Sequence, residues 1–274
     1  MSTPVPAGTL RPARTRTLHV ESGGPAEITL HDRDRTRSFL LLHGGGGPAT
    51  MAGFADLLAE RTRSRVLLPT HPGFGGTPKA DTLNHVTALA GAYVALLDQL
   101  DLQDVTLIGN SFGGWLAAEI ALLRSPRVSG AVIIDGVGIE VEGQPPTDVS
   151  GLTPAQLRAH SFHDPNKAPV PPNAGGNGPS PDVRAMVGYT GPTMSDPTLA
   201  GRLGDLRLPV HVLWGESDRI VTPAYGRAYA AAIPTATFTL LPRTGHLPQV
   251  ETPEELLGAL LDLGHRPFAA WKHS

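Results

Sequence analysis

A serine between two glycines is the feature of this sequence from which a chemical activity is most directly inferred. Ser111 stands in the pattern Gly109-x-Ser111-x-Gly113, after the apolar run VTLI and directly before a helical stretch. In such a strand–turn–helix the glycines let strand and helix approach closely, and the hydroxyl is exposed above the sheet. The first N–H groups of the helix point toward that hydroxyl. We therefore predict a nucleophile at Ser111; the alternative is an ordinary helix N-cap.

A serine hydroxyl attacks a carbonyl only when a base removes its proton, so a histidine and an acid are expected further along the chain. Asp218 follows the run VHVLWG, and His246 follows the run TFTLLP just before the last helical stretch. The chain order Ser, acid, His, with each residue after a strand, predicts a catalytic triad at the carboxyl edge of a parallel sheet. Asp135, at the end of GAVIIDG, is a rival for the acid, and Glu216 is a weaker one.

A run of glycines after another strand-like segment supplies candidates for stabilising an oxyanion. In FLLLHGGGGPAT, the residues after His43 carry no side chain, so their backbone N–H groups can approach a substrate. We predict an oxyanion hole from the N–H of Phe112 and that of Gly45, with Gly44 as the second choice for the latter. The run lacks the GK[ST] ending of a phosphate-binding loop, which disfavours nucleotide binding.

The elements that must position these residues alternate along the chain. Short apolar runs without in–out alternation predict strands covered on both faces, at 38–43, 65–70, 105–110, 130–136, 210–215 and 237–242. Helical patterns separate them, at 49–62, 83–100, 112–125, 223–233 and 253–264. This alternation predicts an α/β fold with a doubly wound, mostly parallel sheet. An antiparallel hairpin, LHVES (18–22) and AEITLH (26–31), is expected at one edge.

The alternation stops between residues 140 and 205, where helix-like pieces occur without a convincing strand. Within this stretch, PNKAPVPPNAGGNGPSP (165–181) has nine Pro or Gly among seventeen residues, which is typical of a functional loop or a linker. We predict a core formed by 1–139 and 206–274, and a helical cap at 140–205 that carries a mobile lid loop at 165–181. His160, His163 and Asp164 in the cap lack a further ligand set, so no metal site is predicted.

Composition narrows the classes of function. The 274 residues carry a net charge of −3 and no cysteine, which excludes disulfides, thiolate metal sites and cysteine nucleophiles. Without a basic surface, nucleic acid is not an expected partner. No apolar run reaches the length of a membrane helix, and the first residues do not resemble a signal peptide. We expect a cytoplasmic monomer or homodimer that takes a small-molecule substrate and needs no cofactor.

Taken together, the motifs LLHGGGG, LPTHPGFGGTP, LIGNSFGG, LWGESDRIVTP and GHLPQVETPEE resemble the α/β-hydrolase superfamily, its serine-nucleophile branch, across residues 18 to 265. The resemblance implies an eight-stranded, mostly parallel sheet, a cap after the sixth strand, and a Ser111–Asp218–His246 triad. GNSFGG together with HGGGG is similar to the carbon–carbon bond hydrolases of aromatic degradation. Those enzymes usually carry Trp directly after the catalytic histidine, where this sequence has Leu247.

The sequence predicts a serine hydrolase that cleaves a small to medium, largely apolar carboxylic ester through an acyl-enzyme. The open alternatives are hydrolysis of a carbon–carbon bond, an amide or a lactone, and a ligand receptor on the same fold. Arg158 or Arg184 would recognise the carboxylate of an acidic substrate. The candidate pocket residues, for each of which core packing is the alternative, are Trp115, Phe162, Met186, Tyr189 and Leu247.

Overall fold

An eight-stranded sheet runs through the molecule in the order β1-β2-β4-β3-β5-β6-β7-β8. The computed structural model describes residues 14–21, 24–33, 38–149, 151–168 and 180–262. Strands β1 and β2 form an antiparallel hairpin at one edge, β2 pairs antiparallel with β4, and the remaining pairs are parallel. The strands are β1 Arg14–Glu21, β2 Pro25–Arg33, β3 Ser38–Leu42, β4 Arg65–Thr70, β5 Val105–Asn110, β6 Val128–Ile134, β7 Val210–Gly215 and β8 Ala236–Leu241.

Helices cover both faces of this sheet, which explains why the central strands are apolar throughout. Every residue of β3 and of β7 is buried. The helices α2 Val86–Gln99, α3 Phe112–Leu122 and α7 Pro223–Ala231 pack on one face, and α1 Ala49–Thr62 and α9 Pro253–Asp262 pack on the other. The predicted strands, the edge hairpin and the flanking helices are thus confirmed. Among the described residues, no helix is long and apolar enough to span a membrane.

Between β6 and β7 the described residues include several helices, which lie on the side of the sheet where the parallel strands end. It contains α4 Pro154–Ser161, a short 3-10 turn at Pro165–Lys167, α5 Pro181–Thr190 and α6 Leu199–Leu203. A further short helix, α8 Pro248–Glu251, precedes α9. Most of the predicted lid loop, residues 169–179, lies outside the described residues. The division into a core and a separate cap domain stays a prediction.

Candidate active site

The turn between β5 and α3 holds Ser111 in a strained conformation. Its φ of 56° and ψ of −118° lie in a region that side chains rarely occupy. Two glycines make this turn feasible: a side chain at Gly109 would overlap the carbonyl of Gly113, and one at Gly113 would overlap the carbonyl of Leu42. The Ser111 N–H donates to Ile134 O at 2.9 Å, which anchors the turn to β6. The geometry is that of a nucleophile elbow.

His246 and Asp218 form the hydrogen-bonded pair that the sequence predicts. His246 Nδ1 lies 2.7 Å from Asp218 Oδ2, and both side chains are buried. The other oxygen, Asp218 Oδ1, accepts from the backbone N–H groups of Ile220 and Val221 at 2.7 and 3.1 Å. With Nδ1 donating to a fixed carboxylate, Nε2 of His246 is the nitrogen left to take a proton from the serine. The predicted histidine–acid pair is thus formed with Asp218.

The two rival acids have other partners. Asp135 is fully buried, and its Oδ1 accepts from the Gly215 N–H at 2.8 Å. Burial, and secondarily the nearby Asp218 carboxylate, raise the pKa of Asp135 well above its usual range. Glu216 is exposed and accepts from the Arg243 N–H. Neither takes the place of Asp218 beside the imidazole.

The carboxyls of Asp135 and Asp218 and the imidazole of His246 are also possible metal ligands. Ligand atoms of Asp135, Asp218 and His246 all lie within 4.8 Å of one another, which is close enough to hold a metal ion. Both oxygens of Asp218 are already engaged by N–H groups, however, which suits a triad acid better than a metal ligand. In the segment after β6, His163 Nδ1 pairs with Ser217 Oγ at 2.8 Å, a local contact unrelated to a metal.

A buried histidine pair supports the glycine loop after β3. The His71 N–H donates to His43 Nε2 at 3.1 Å, so Nδ1 of His43 carries the proton and donates to Gly44 O at 2.9 Å. His71 Nε2 in turn donates to His43 O, and its Nδ1 accepts from the Tyr93 hydroxyl at 2.6 Å. Burial lowers the pKa of His43 to about 4 and that of His71 well below its usual value, so both rings are neutral at pH 7.

These contacts orient the peptide between Gly44 and Gly45. Its carbonyl is held by His43 and by the Gly47 N–H at 3.1 Å, so in a trans peptide the Gly45 N–H points the opposite way. Gly44 lies against Ser111, since a Cβ there would come within 2.9 Å of the serine Cβ. The N–H of Phe112, at the first position of α3, has no acceptor within its own helix. The glycine loop therefore lies against Ser111, and the N–H groups of Phe112 and Gly45 stay the predicted oxyanion donors.

Four of the five predicted pocket residues lie around this site, two of them on α5, one directly after α4 and one directly before α8. Met186 packs on the oxyanion loop, because a Cβ at Gly45 would lie 2.8 Å from its sulfur. Tyr189 packs against Phe112, with ring centroids 5.7 Å apart and the rings tilted by 31°. The other two adjoin His246 in sequence or in space: Leu247 follows it and is half-buried, and Phe162 packs against Gly245.

Trp115 has a different environment. Its ring packs against Gly138, and its indole N–H donates to Glu119 at 3.1 Å. Glu119 is buried and is held by two hydrogen bonds from Arg202, each 2.7 Å long. These contacts form a core network that joins α3 to α6. The environment of Trp115 therefore agrees with core packing, the alternative to a place in the pocket.

Sequence reasoning missed the groups that hold the His246 loop. Asn110 donates to His246 O at 2.9 Å and accepts from Gln249 at 3.0 Å. Glu251 accepts from the Gly245 N–H at 2.8 Å and from two N–H groups beyond α4, so it joins the loop to that helix. Only the positions of these two residues could have indicated their role, since Asn110 directly precedes Ser111 and Glu251 is the last residue of α8.

The chain belongs to the alpha/beta hydrolase family, whose model matches residues 39–259. It is 26% identical to a 2-hydroxy-6-oxononadienedioate/2-hydroxy-6-oxononatrienedioate hydrolase from Cupriavidus pinatubonensis, over 83% of this chain and 88% of that protein. It is 34% identical to a 2-hydroxy-6-oxo-2,4-heptadienoate hydrolase from Pseudomonas putida, over 43% of this chain and 44% of that protein. A meta-cleavage product hydrolase from Pseudomonas fluorescens IP01 has the same fold, with TM-score 0.70, 19% identity and coverage of 91% of this chain and 97% of that one.

Proposed function

We propose that this chain hydrolyses a carbon–carbon bond in a 2-hydroxy-6-oxo-2,4-dienoate. The observation that carries the proposal is the similarity to curated hydrolases named for substrates of this class, one of which aligns over 88% of its length. The carboxylic ester expected from the sequence becomes the second candidate, and the carbon–carbon alternative becomes the first. An intact, hydrogen-bonded acid–base pair beside a strained serine favours an enzyme over a receptor.

The first half of the reaction is nucleophilic attack. His246 Nε2 takes the proton of Ser111 Oγ, and the oxygen adds to the 6-oxo carbon of the substrate. The charge that develops on the former carbonyl oxygen is stabilised by the N–H groups of Phe112 and Gly45. Asp218 holds the imidazole in the required tautomer and stabilises its cationic form.

The second half breaks the carbon–carbon bond and regenerates the serine. Once the 2-hydroxydiene has tautomerised to its 2-oxo form, the electron pair released at C5 is delocalised onto the 2-oxo group. The C5–C6 bond breaks, the C6 acyl group stays on Ser111, and His246 returns its proton to the oxygen of the resulting dienolate. The imidazole then activates water, and hydrolysis of the acyl-enzyme releases the carboxylic acid. Each step uses the same base and the same oxyanion donors.

A dienoate substrate also brings a carboxylate, which calls for a cation in the pocket. We favour Arg158 over Arg184 for this role. Arg158 is half-buried on α4, whose last residue, Ser161, accepts the His246 N–H at 2.7 Å. Arg184 lies on α5 and is exposed. A charge-assisted hydrogen bond from Arg158 would contribute roughly tenfold to substrate binding.

The direct test is turnover of 2-hydroxy-6-oxohepta-2,4-dienoate, followed through loss of its dienol absorbance, beside hydrolysis of p-nitrophenyl acetate. We expect the larger kcat/KM for the dienoate. Ser111→Ala is expected to reduce turnover of both compounds by roughly a thousandfold or more. Arg158→Ala is expected to raise the KM for the dienoate and to spare ester hydrolysis. Ester turnover without dienoate turnover would overturn the proposal.

Hydrolysis of an ester without turnover of the dienoate has one specific observation in its favour. Leu247 places a half-buried aliphatic side chain directly after the catalytic histidine, where the carbon–carbon hydrolases of aromatic degradation usually carry Trp. An apolar group at this position suits an alkyl ester. Leu247→Trp therefore separates the two candidates, because it is expected to favour the dienoate only if the pocket is built for that substrate class.

A further inference from the structure

A second carboxyl lies beside the catalytic pair and has no part in the mechanism above. Asp135 follows β6, adopts a left-handed backbone with φ 48°, and is fully buried. One of its oxygens lies within 4.8 Å of both an Asp218 oxygen and a ring nitrogen of His246. Its Oδ1 accepts from the Gly215 N–H, whereas Oδ2 has no hydrogen-bond partner within the described chain.

The charges around this carboxyl do not suit a second anion. Asp218 accepts three hydrogen bonds, two from backbone N–H groups and one from the imidazole, as an ionised acid does. The titratable groups close to Asp135 are Asp218 and His246. A single imidazolium formed during catalysis would then face two buried carboxylates a few ångströms apart. A buried charge without its own partner is costly, and protonation removes that cost.

We propose that Asp135 is a positioning residue that stays protonated and donates a hydrogen bond from Oδ2 to Asp218. The direction of its pKa, raised by burial and by Asp218, agrees with this assignment. Oδ1 meanwhile receives the Gly215 N–H, so the neutral acid links the end of β6 to the end of β7. It thereby holds Asp218 in place beside His246. The inference rests on the proposed triad and not on the identity of the substrate.

Asparagine reproduces both contacts of a protonated Asp135, since its oxygen accepts and its amide nitrogen donates. Asp135→Asn is therefore expected to preserve most of kcat/KM. Asp135→Ala removes the donor to Asp218, and we expect kcat/KM to fall on the order of tenfold or more. With p-nitrophenyl acetate as the probe, both measurements can be made without the dienoate. Equal loss of activity in the two variants would mean that a negative charge is needed and would overturn the proposal.

The pH profile separates positioning from a merely structural role. In Asp135→Ala, the Asp218 carboxylate loses a donor and stabilises the imidazolium more strongly, so the acid limb of kcat/KM moves to higher pH. In Asp135→Asn the limb stays in place. If Asp135 were ionised, both variants would lose a negative charge and move the limb to lower pH. An unmoved limb in Asp135→Ala would assign the residue to structure alone.

A thermal measurement tests the protonation without any activity. A carboxyl protonated in the fold but ionised in the unfolded chain makes the native state less stable as pH rises. The Tm of Asp135→Asn minus the Tm of the wild type should therefore increase by roughly 3 °C per pH unit from pH 5 to 7. A difference that does not change with pH would contradict the proposal, even if the triad hydrolysed nothing.

Asp32 provides the matched control for these thermal scans. It is a buried aspartate on β2, distant from the catalytic loops, and its two oxygens accept from Arg65 at 3.0 and 2.6 Å. Because Asp32 is an ionised partner, Asp32→Asn should lower the Tm instead of raising it. Opposite signs for the two Asp→Asn substitutions at pH 7 are the expected result. A lower Tm in both variants would assign Asp135 a charge and overturn the inference.

Discussion

The residues behind the oxyanion loop illustrate how neutral histidines can set the direction of one backbone N–H. His43 donates to the Gly44 carbonyl only because its other nitrogen is fixed as an acceptor by the His71 N–H. His71 is itself fixed by the hydroxyl of Tyr93. A single tautomer of each ring satisfies all of these contacts, and burial keeps both rings uncharged at neutral pH.

The role of Tyr93 in supporting the histidine pair can be tested by removing single hydroxyl groups from two buried tyrosines. Tyr93→Phe leaves His71 Nδ1 without its donor, so we expect a loss of about 1–3 kcal/mol in the free energy of unfolding and a lower kcat. The Tyr229 hydroxyl is buried and has no hydrogen-bond partner among the described residues. Tyr229→Phe should therefore be neutral or stabilising. Urea unfolding and ester turnover check both variants, and equal effects would argue against a specific role for Tyr93.

At the scale of elements, one carboxylate joins the histidine loop to the segment that follows α4. Glu251 Oε2 accepts from the N–H groups of Gly245 and His163, and Oε1 accepts from that of Asp164. The His246 N–H also donates to Ser161 O. The end of α4 is thus part of the catalytic framework, and we expect any opening of the pocket to occur elsewhere.

Substitution of Glu251 is expected to affect stability and chemistry together. Glu251→Ala leaves one buried N–H group, that of Gly245, and two part-buried ones without their acceptor, so it should cost about 2–3 kcal/mol in unfolding free energy. Displacement of the His246 loop should reduce kcat by roughly a hundredfold, with a smaller change in KM. Glu251→Gln retains an accepting oxygen and should lose less of both.

Glu254 is the control for that pair of variants. It lies one turn further along, in α9, but is exposed, and it pairs with the exposed Arg61 at 2.8 Å. Such surface pairs contribute little, so Glu254→Gln should leave kcat within experimental error. If Glu251→Ala matched Glu254→Gln in kcat, the link between α4 and the histidine loop would have no catalytic importance.

For the whole molecule, the features predictable from sequence are those encoded locally. The order of strands and helices follows from apolar runs and turns, and the pairing of His246 with Asp218 follows from motifs at strand ends. Boundaries depend on finer contacts: α2 begins at Val86 instead of 83, because the His85 side chain caps it by accepting from the Ala88 N–H. Gly215, which pairs with Asp135, and His163 and Asp164, which pair with Glu251, lie 80 or more residues away in sequence, so these roles emerge only when the fold is assembled.

Assembly of the sheet also buries a histidine remote from the site, and this sets how the whole fold responds to acid. His211 lies near the start of β7, pairs with Thr239 at 2.9 Å, and leaves Nδ1 without a partner in the described chain. Burial lowers the pKa of His211 to about 4, as it does for His43. The unfolded chain binds protons at these groups below about pH 6.5, whereas the native state does not.

The direction in which stability changes with pH follows from this difference in proton binding between the unfolded and native states. Stability is fully present above about pH 6.5 and declines as pH falls toward 4, by up to about 1.4 kcal/mol per pH unit for each such histidine. His211→Gln cannot ionise and can still pair with Thr239, so it should reduce the slope of unfolding free energy against pH by about one proton. Urea unfolding between pH 4.5 and 7.5 measures this slope. An unchanged slope would mean that His211 is protonated in the native state, despite its burial in the sheet.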